Sequence, residues 1–355
     1  MSADAPAQLS PRATPFHVVP GAVVADMLNE DRDAVLDLVA ETYRRHAGGR
    51  SVNPDSYFLR FPEKPACRII ALPAHLGGPG EIAGLKWIAS FPDNRAGNLA
   101  RASAVVILND CETGYPIACL EGSVISAERT AASAALAAEA LSPEGRTGTL
   151  AIVGCGLIAR AVVAWLIHRR WRFERVLLHD ADPREAARFA GWLEERTGWP
   201  VTAAEALADA TRAASLVLFA TTAGAPHVPP GALGEAPTVL HLSLRDLGMP
   251  QILASQNVVD DIGHALKAAT SLHLVEQAVG HRGFVHGTLA DLLDGRLAPD
   301  LSRPRVFSPF GLGVLDIALG EFVLRRARET GGAVAIPDFF SHAMRWPAAG
   351  GDTAR

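Results

Sequence analysis

The most informative segment of this 355-residue chain reads Leu150-Ala-Ile-Val-Gly154-Cys-Gly156-Leu-Ile-Ala159-Arg160. It is a Gly-x-Gly-x-x-Ala pattern that directly follows an apolar strand and opens a helix. The first glycine permits the tight turn, the second lets the backbone approach a pyrophosphate, and Ala159 allows close contact between helix and strand. The helix N-terminus adds free N–H groups and a partial positive charge for the phosphates. The segment therefore predicts a dinucleotide-binding domain.

The next predicted strand indicates which dinucleotide binds. Val176-Leu-Leu-His-Asp180 ends in an acid, and an acid about 20 residues after the glycines holds the ribose 2′-hydroxyl in such domains. Asp180 would repel a 2′-phosphate, so NAD is expected, while Arg184 nearby keeps NADP as an alternative. The residues predicted to contact the dinucleotide are Gly154, Gly156, Ala159, Arg160, Asp180, Thr221, Thr222 and Ser243. Thr221 and Thr222 follow another apolar strand. Instead of contacting the dinucleotide, they could be ordinary turn residues at the end of that strand.

Patterns on either side of this segment predict two domains. A Pro/Gly-containing linker at 141–148 is followed by alternating strand and helix patterns, which are typical of a parallel sheet with crossover helices. We expect an α/β protein in which residues 143–311 form a Rossmann-type, doubly wound NAD-binding domain. Residues 1–142, completed by about 312–345, form an α+β substrate-binding domain. The predicted helices are 33–46, 126–141 with Ser126 near its N-cap, 157–168, 183–196 and 312–329; the predicted strands are 57–60, 67–72, 82–90, 103–109, 150–153, 175–179, 215–220, 239–244 and 257–259.

Composition narrows the function to a small-molecule ligand. The chain is 49% hydrophobic and 20% charged with a formal net charge of -5, which is typical of a soluble protein with a large core. No basic block and no run of about 18 apolar residues occurs, so we expect neither a nucleic-acid surface nor membrane attachment. The cysteines lack CxxC spacing and the histidines lack metal-ligand spacing, so neither a disulfide framework nor a metal site is expected. The first 15 residues read as a loose tail without a secretory signal, 347–355 as another tail, and a reducing cytoplasm is the expected location.

Lys86 is a candidate catalytic residue. It is one of only three lysines and lies inside the apolar run 82–89. Burial lowers the pKa of a lysine toward the range useful for proton transfer. The alternative is a strand lysine that extends its ammonium group into solvent.

Asp246 is the second candidate catalytic residue. It follows the alternating segment Val239-Leu-His-Leu-Ser-Leu-Arg, at the carboxyl end of a predicted strand, where α/β sheets bind their ligands. A carboxylate there can accept a proton from a substrate amine or activate water. The alternative is an ordinary turn aspartate.

Four spaced motifs resemble the ornithine cyclodeaminase/mu-crystallin family. Between residues 16 and 340 they occur as Lys86-Trp-Ile-Ala-Ser-Phe-Pro92-x-Asn94, Thr113-Gly-Tyr-Pro116, Arg129-Thr-Ala-Ala and Gly154-x-Gly156. The resemblance implies a homodimer formed through strands of the N-terminal domain. Edge strands within 57–90 would be suitable for this, because pairing between subunits satisfies their free backbone groups. It also implies substrate-carboxylate contacts from Arg60 and Arg129 and a proton-transfer role for the matching acid, Asp246.

Further segments are similar to one branch of that family, the N-((2S)-2-amino-2-carboxyethyl)-L-glutamate dehydrogenases. They are Arg101-Ala-Ser-Ala-Val-Val-Ile-Leu-Asn-Asp110, Cys119-Leu-Glu-Gly-Ser, Ser243-Leu-Arg-Asp246-Leu and Phe307-Ser-Pro-Phe-Gly-Leu-Gly-Val-Leu-Asp316. The branch implies NAD-dependent oxidation of a secondary amine to an imine. Water splits that imine into 2-oxoglutarate and L-2,3-diaminopropionate, a precursor of siderophores and peptide antibiotics. Ornithine cyclodeaminases have a Gly-Gly-Asp-Cys-Pro-Gly-Lys-like stretch where this chain has Leu242-Ser-Leu-Arg-Asp246, which disfavours ornithine as substrate.

Fixed cations fit such a substrate. Arginine binds carboxylates with two parallel hydrogen bonds, and Arg101 and Arg245 are candidates beside Arg60 and Arg129. Arg129 is predicted near a helix start, where the helix dipole would help. Each arginine is alternatively a solvated surface charge.

Two other functions remain open at this point. One is an ornithine cyclodeaminase or an imine/alanine-type reductase of the same superfamily. The other is a mu-crystallin-like protein that binds a nucleotide and a ligand without catalysis. The joint presence of Lys86, Arg129 and Asp246 argues against a pure binding protein, which needs no proton-transfer pair.

Overall fold

A computed structural model describes residues 15–340 and arranges them around two eight-stranded sheets. The tails expected before residue 15 and over 347–355 lie outside the described residues. The strands are β1 (Phe16–Val19), β2 (Ser51–Val52), β3 (Tyr57–Phe61), β4 (Lys64–Leu76), β5 (Ile82–Ser90), β6 (Ala102–Asn109), β7 (Pro116–Glu121), β8 (Thr149–Val153), β9 (Arg175–His179), β10 (Val201–Ala203), β11 (Leu216–Phe219), β12 (Thr238–His241), β13 (Gln256–Val259), β14 (Val285–Thr288), β15 (Arg305–Phe307) and β16 (Val334–Ile336). The α-helices are α1 (Gly21–Glu30), α2 (Arg32–Ala47), α3 (Gly122–Leu141), α4 (Leu157–His168), α5 (Pro183–Thr197), α6 (Leu207–Thr211), α7 (Met249–Ala254), α8 (Ile262–Ala265), α9 (Ser271–Val279), α10 (Leu289–Leu293) and α11 (Gly313–Thr330).

The first sheet is mixed, with the order β16-β1-β7-β6-β5-β4-β2, and β3 pairs with β4 beside β2. Only the β1–β7 pair is parallel. Side chains alternate between its faces. One face packs against α3 and α11 and buries Lys86, Val106 and Leu120. The register of β5 with its neighbours therefore places Lys86 among core residues.

The second sheet is entirely parallel, with the order β10-β9-β8-β11-β12-β15-β13-β14. Strand β8 lies in its middle, and α3 runs from the first sheet to β8. This is the α/β architecture that the glycine pattern predicts, with strand ends that converge beside the loop after β8.

The last long helix, α11, returns from the second sheet to the first and packs against α2, β4 and β5. Gly313 makes the closest approach, because a Cβ there would lie 3.0 Å from the carbonyl oxygen of Leu72. One apolar core continues from this region to α4. Within residues 15–340, no helix is long and apolar enough to cross a membrane.

Helix α3 begins earlier than the sequence pattern predicts. Its N-cap is Glu121, whose carboxylate accepts hydrogen bonds from the backbone N–H groups of Ser123 and Val124; Ser126 lies inside the helix. Arg129 is consequently two turns from the helix start. The predicted help from the helix dipole at Arg129 is therefore wrong, because that effect is confined to the first turn.

Strand β4 is also longer than predicted and passes through Pro73. A proline interrupts most strands because it has no N–H to donate. Pro73 is opposite Leu85 in the β4–β5 pair, and on the other side of β4 it lies between the end of pairing with β3 at Ala71 and the start of pairing with β2 at His75, so no strand on that side requires its N–H group. Of the strands within 57–90, β4 and β5 are paired on both sides, and only β3 has a free edge, which corrects the expectation of several edge strands.

Candidate active site

The loop after β8 has the geometry of a phosphate-binding turn. Gly154 has a φ of 90°, and a Cβ there would lie 2.7 Å from the carbonyl oxygen of Ala220 at the end of β11. No larger residue fits this approach of two strand ends. Gly156 is the N-cap of the twelve-residue α4, and a Cβ there would meet nothing within 4 Å. Open space in front of free N–H groups fits a pyrophosphate.

Asp180 braces this loop from the end of β9. Its carboxylate accepts the N–H of Cys155 at 2.7 Å and that of Asp182 at 2.9 Å. A carboxylate has lone pairs for about four donors, so two ribose hydroxyls can still bind. Arg184, which supported the NADP alternative, instead pairs with Asp182 through Nε at 3.0 Å and Nη2 at 2.8 Å. The residues around the loop therefore fit NAD.

The remaining predicted cofactor residues lie in different settings. Ala159 is completely buried in α4 against the core, whereas the side chains of Arg160 and Thr222 are exposed. Cys155 lies between the glycines, where burial and then the charge of Asp180 raise the pKa of its thiol to about 12. It therefore stays a neutral packing residue.

Asp246 lies in the loop after β12 and is completely buried. The strand ends at His241, earlier than predicted, and Leu244 adopts a positive φ of 70°. This turn directs Ser243 toward Asp246, and its hydroxyl donates to the carboxylate, as does that of Thr221. The structure thus brings Thr221 and Ser243 together on the candidate catalytic acid.

Two histidines complete the surroundings of Asp246. Nε2 of His227 lies 3.0 Å from Oδ1, and Nε2 of His241 lies 3.2 Å from Oδ2. Burial raises the pKa of Asp246, but the hydrogen bond and charge of His241 and the two hydroxyls outweigh it and hold the pKa well below its ordinary value. A carboxylate with these partners is a permanent anion.

A second buried cluster surrounds Lys86. Its Nζ lies 2.7 Å from Oδ2 of Asp316 on α11 and 3.1 Å from Oγ of Ser126 on α3. Nε of Arg129 donates to the other oxygen of Asp316 at 3.2 Å. Burial, and next the charge of Arg129, lower the pKa of Lys86 to about 8, against the opposing effect of Asp316. Lys86 can therefore gain or lose a proton near neutral pH.

The loop before α11 shapes the space around Arg129. Gly311 has a φ of 99°, and a Cβ there would lie 2.9 Å from Nη1 of Arg129. Asp260 fixes this loop by accepting the N–H groups of Phe310 at 2.9 Å and Gly311 at 2.6 Å. The segment around 307–316 thus has two contacts with Arg129: Gly311 leaves space for its guanidinium group, and Asp316 supplies the carboxylate that pairs with it.

The other three predicted substrate arginines lie near one another at the Ser90 end of β5. Arg60 is opposite Arg68 in the β3–β4 pair, with its guanidinium 5.2 Å from the ring centre of Phe58. Arg101 donates to Oγ of Ser90 at 2.7 Å. Arg245 donates to the carbonyl oxygen of Ala269 at 3.2 Å and to that of Ala268.

Sequence reasoning did not assign Asp316, Arg68, His227 and Ser126 to the site. Asp316 was visible as the last residue of the Phe307–Asp316 segment, but its partner Arg129 is 187 residues away. Arg68 could be found only from the register of β4. Outside this site, His75, Glu81 and Cys111 each place one possible ligand atom within 4.8 Å of the others, a grouping that their sequence spacing does not predict.

The chain is similar to known proteins over most of its length. The ornithine cyclodeaminase/mu-crystallin family matches residues 22–331. The N-((2S)-2-amino-2-carboxyethyl)-L-glutamate dehydrogenase of Staphylococcus aureus is 32% identical over 303 residues, which are 83% of this chain and 90% of that protein. The alanine dehydrogenase of Archaeoglobus fulgidus is 27% identical over 83% of this chain and 90% of its own length.

Among solved structures, the Δ1-pyrroline-2-carboxylate reductase of Thermococcus litoralis, in complex with NADH and L-proline, superposes with a TM-score of 0.83. It is 22% identical, and the match covers 90% of this chain and all of that one. An archaeal alanine dehydrogenase dimer with bound NAD gives a TM-score of 0.80 at 24% identity, with 91% and 99% coverage. These structures share the fold. The family match over residues 22–331 and the 32% identical relative show that the chain belongs to the ornithine cyclodeaminase/mu-crystallin family.

Proposed function

We propose that this protein is an NAD-dependent oxidoreductase that acts on the CH–NH bond of an amino-acid substrate. The observation that carries the proposal is Lys86, a completely buried lysine with a pKa of about 8 that is held by Asp316 and Ser126. A lysine in that state is suited to move a proton. The same chain contains the Gly154-x-Gly156 loop, so it joins a proton-transfer group to a dinucleotide site.

NAD is the cofactor, and the loop after β8 would hold it. The N–H groups at the start of α4 would hold the pyrophosphate, and Asp180 would hold the adenosine ribose and disfavour a 2′-phosphate. Contacts of the cofactor with Arg160, Thr222, Thr221 and Ser243 remain predictions. When bound, NAD supplies the acceptor for the hydride that leaves the substrate carbon.

The buried cluster offers a place for the substrate's α-carboxylate. Lys86 and Arg129 share the single carboxylate of Asp316, so a protonated Lys86 leaves one positive charge without a direct partner. Within residues 15–340 only Nε of the Arg129 guanidinium has a hydrogen-bond partner, and Nη1 and Nη2 lie beside Gly311. Arg60 is the second carboxylate ligand that the family resemblance implies, and the β3–β4 pairing places it opposite Arg68, away from this cluster.

We assign the proton transfer to Lys86 and an electrostatic role to Asp246. The secondary amine of the substrate binds as an ammonium ion and first gives one proton to neutral Lys86. The lone pair that this frees on nitrogen forms the C=N bond when hydride leaves the carbon for NAD, so the product is an iminium cation. Asp246 accepts hydrogen bonds from the hydroxyls of Thr221 and Ser243, lies within 3.2 Å of two imidazole nitrogens and strongly favours its charged form. It therefore stabilises positive charge that develops on the substrate nitrogen as the C=N bond forms.

The substrate we propose is N-((2S)-2-amino-2-carboxyethyl)-L-glutamate. Oxidation converts its secondary amine into an imine; water then adds to the C=N bond and the C–N bond breaks, which gives 2-oxoglutarate and L-2,3-diaminopropionate. The 32% identity to the Staphylococcus aureus dehydrogenase supports this choice. So do Arg101 and Arg245, neither of which has a carboxylate partner within residues 15–340, because the adduct carries three carboxylates.

We further propose that the protein is a homodimer assembled through the first sheet. The face of this sheet opposite α3 and α11 carries apolar side chains that are incompletely covered, among them Trp87 at 38% and Val18 at 37% exposure. In register beside them are half-buried Leu85, Val105 and Ile107. An apolar face of this kind fits a second copy of itself.

We also propose that the chain is divided into a domain of 1–142 plus 312–345 and a domain of 143–311. The presence of two separate sheets supports this division.

An absorbance assay at the NADH band tests the function. Purified protein with NAD and the synthetic adduct should produce NADH, and 2-oxoglutarate and 2,3-diaminopropionate should appear as products. Parallel reactions contain NADP, alanine or ornithine. NADH formation with alanine alone would identify an alanine dehydrogenase, and proline from ornithine a cyclodeaminase. No turnover with any substrate would overturn the enzyme proposal in favour of a binding protein.

A further inference from the structure

Three arginines lie near the Ser90 end of the β4–β5 pair, and none of them forms a salt bridge within residues 15–340. They are Arg68, Arg101 and Arg245, which we call the arginine cluster. Burial lowers the pKa of Arg101, and the charges of Arg68 and Arg95 lower it further; burial and then Arg68 lower the pKa of Arg245. Arg68 thus lies within electrostatic range of both other members and destabilises their charged forms, while the charge of Asp246 acts in the opposite direction on Arg245.

The protein holds two members of the cluster by uncharged groups alone. Ser90 accepts from Arg101 at 2.7 Å, and the carbonyl oxygens of Ala268 and Ala269 accept from Arg245. Both alanines have a φ of 53°, a backbone conformation that costs free energy for non-glycine residues. The side chain of Arg68 forms no hydrogen bond or ion pair within the described residues. Donors of all three guanidinium groups are left for a ligand.

The strand register relates this cluster to the proposed catalytic site. Arg68 lies opposite Ser90, and Leu72 lies opposite Lys86, in the β4–β5 pair. Opposite residues project from the same face, so Arg68 is on the face that buries Lys86. The Arg68–Ser90 pair and the Leu72–Lys86 pair are four residues apart along the strands, which is about 13 Å at 3.3 Å per residue. This separation suits a ligand with negative charge at both ends.

Arg245 belongs to the loop after β12 of the second sheet and immediately precedes Asp246. The arginine cluster therefore lies next to the proposed reaction site. A ligand bound between the cluster and the Lys86 group would therefore lie beside the Asp246 carboxylate. Arginine is the residue best suited to bind a carboxylate with paired hydrogen bonds.

We propose that the arginine cluster, centred on Arg68, binds a second carboxylate of the substrate and makes the enzyme specific for amino acids with an acidic side chain. The inference rests on the proposed function and deepens it by naming the class of substrate. A substrate such as alanine or proline, which has a single carboxylate, leaves the cluster empty and its repulsion unrelieved.

Calorimetric binding to the NAD-loaded protein tests the cluster without any reaction. Glutarate, a five-carbon dicarboxylate, is compared with pentanoate, a monocarboxylate of equal length. We expect glutarate to bind at least tenfold more tightly than pentanoate. Arg68→Gln should weaken glutarate binding roughly 10- to 100-fold, the effect of losing hydrogen bonds to a charged group, and leave pentanoate binding unchanged. Arg68→Lys, which keeps the charge but not the fork, should fall between.

Arg172→Gln is the matched control, because Arg172 is exposed on the loop before β9 and the substitution removes the same charge. Arg172→Gln should change the binding of neither glutarate nor pentanoate. Unchanged NAD affinity and melting temperature in Arg68→Gln establish that the variant is folded. Equal binding of glutarate by the wild type and a folded Arg68→Gln would overturn the proposal.

Kinetics with the adduct separate this proposal from the proposed function. Arg68→Gln should raise KM about as much as it weakens glutarate binding, while kcat changes little. Turnover with an unchanged KM in Arg68→Gln would keep the function and discard the cluster. Arg68-dependent glutarate binding without turnover of the adduct would keep the cluster and discard the proposed substrate.

Discussion

Two carboxylates in this molecule, Asp316 and Asp246, are equally buried but have different kinds of partners. Asp316 on α11 pairs with two cations, Lys86 at 2.7 Å and Arg129 at 3.2 Å. Asp246, in the loop after β12, is surrounded by hydroxyl and imidazole groups.

The contrast shows where a proton can move. Because Asp316 opposes the effect of burial, Lys86 keeps a pKa of about 8 rather than a lower one, and the pair acts as an adjustable base. Asp246 has its pKa held below the ordinary range, so it supplies a fixed negative charge. A buried acid is therefore not by itself evidence of acid–base catalysis; its partners decide its role.

The largest effect is expected from Lys86→Met, which removes the titrating group while filling the same space. Turnover should fall on the order of 10²- to 10⁴-fold. In the wild type, oxidation needs the neutral lysine, so kcat should rise with pH through about 8 and the reverse reduction should fall over the same range. The variant should lose this pH dependence. A loss of NAD affinity in Lys86→Met would contradict the assignment of Lys86 to chemistry.

A smaller effect is expected from Asp246→Asn, which removes the fixed charge but preserves the shape. Turnover should fall about 10²-fold, with the midpoint of the pH profile still near 8, because Asp246 does not titrate in that range. A pH–rate profile of this variant against the wild type measures both quantities. A shifted midpoint would show that Asp246 exchanges the proton and would erase the contrast between the two acids.

The smallest effect on rate is expected from Asp316→Asn, and it is an effect on position along the pH axis. Loss of the carboxylate removes the interaction that raises the pKa of Lys86, so the midpoint for oxidation should move to lower pH. Breaking a buried ion pair should also cost about 3 to 5 kcal/mol of stability, which thermal unfolding measures. A midpoint that stays near 8, or moves higher, would contradict the pairing.

Local sequence patterns predicted the dinucleotide-binding loop and Lys86 far better than they predicted the partners of Lys86. The Gly154 turn and the strand ending near Asp180 follow from the backbone needs of glycine and from hydrophobic patterns within a few dozen residues. Lys86 could be singled out because an apolar strand surrounded it. These features depend on short stretches of chain, where sequence patterns are informative.

The partners of Lys86 could not be predicted in the same way. Asp316 reaches Arg129 across 187 residues, and nothing local marks its carboxylate as buried. Arg68 reaches the substrate side through the register of β4, a strand whose length is hidden by Pro73. The start of α3 was missed because Glu121 is not a common N-cap residue. Asp316 and Arg68 were thus missed because tertiary contacts and strand register position them, whereas the start of α3 was missed because its local cap is uncommon.

The return of α11 to the first sheet has a consequence for biosynthesis. A ribosome releases β4, β5 and α3 long before it makes α11, so nascent Lys86 and Arg129 have no Asp316 to pair with. The face that contains them cannot be covered until α11 leaves the exit tunnel. A polypeptide cut short before Gly313 would keep the residues of the glycine turn but would lack the carboxylate that pairs with Lys86 and Arg129.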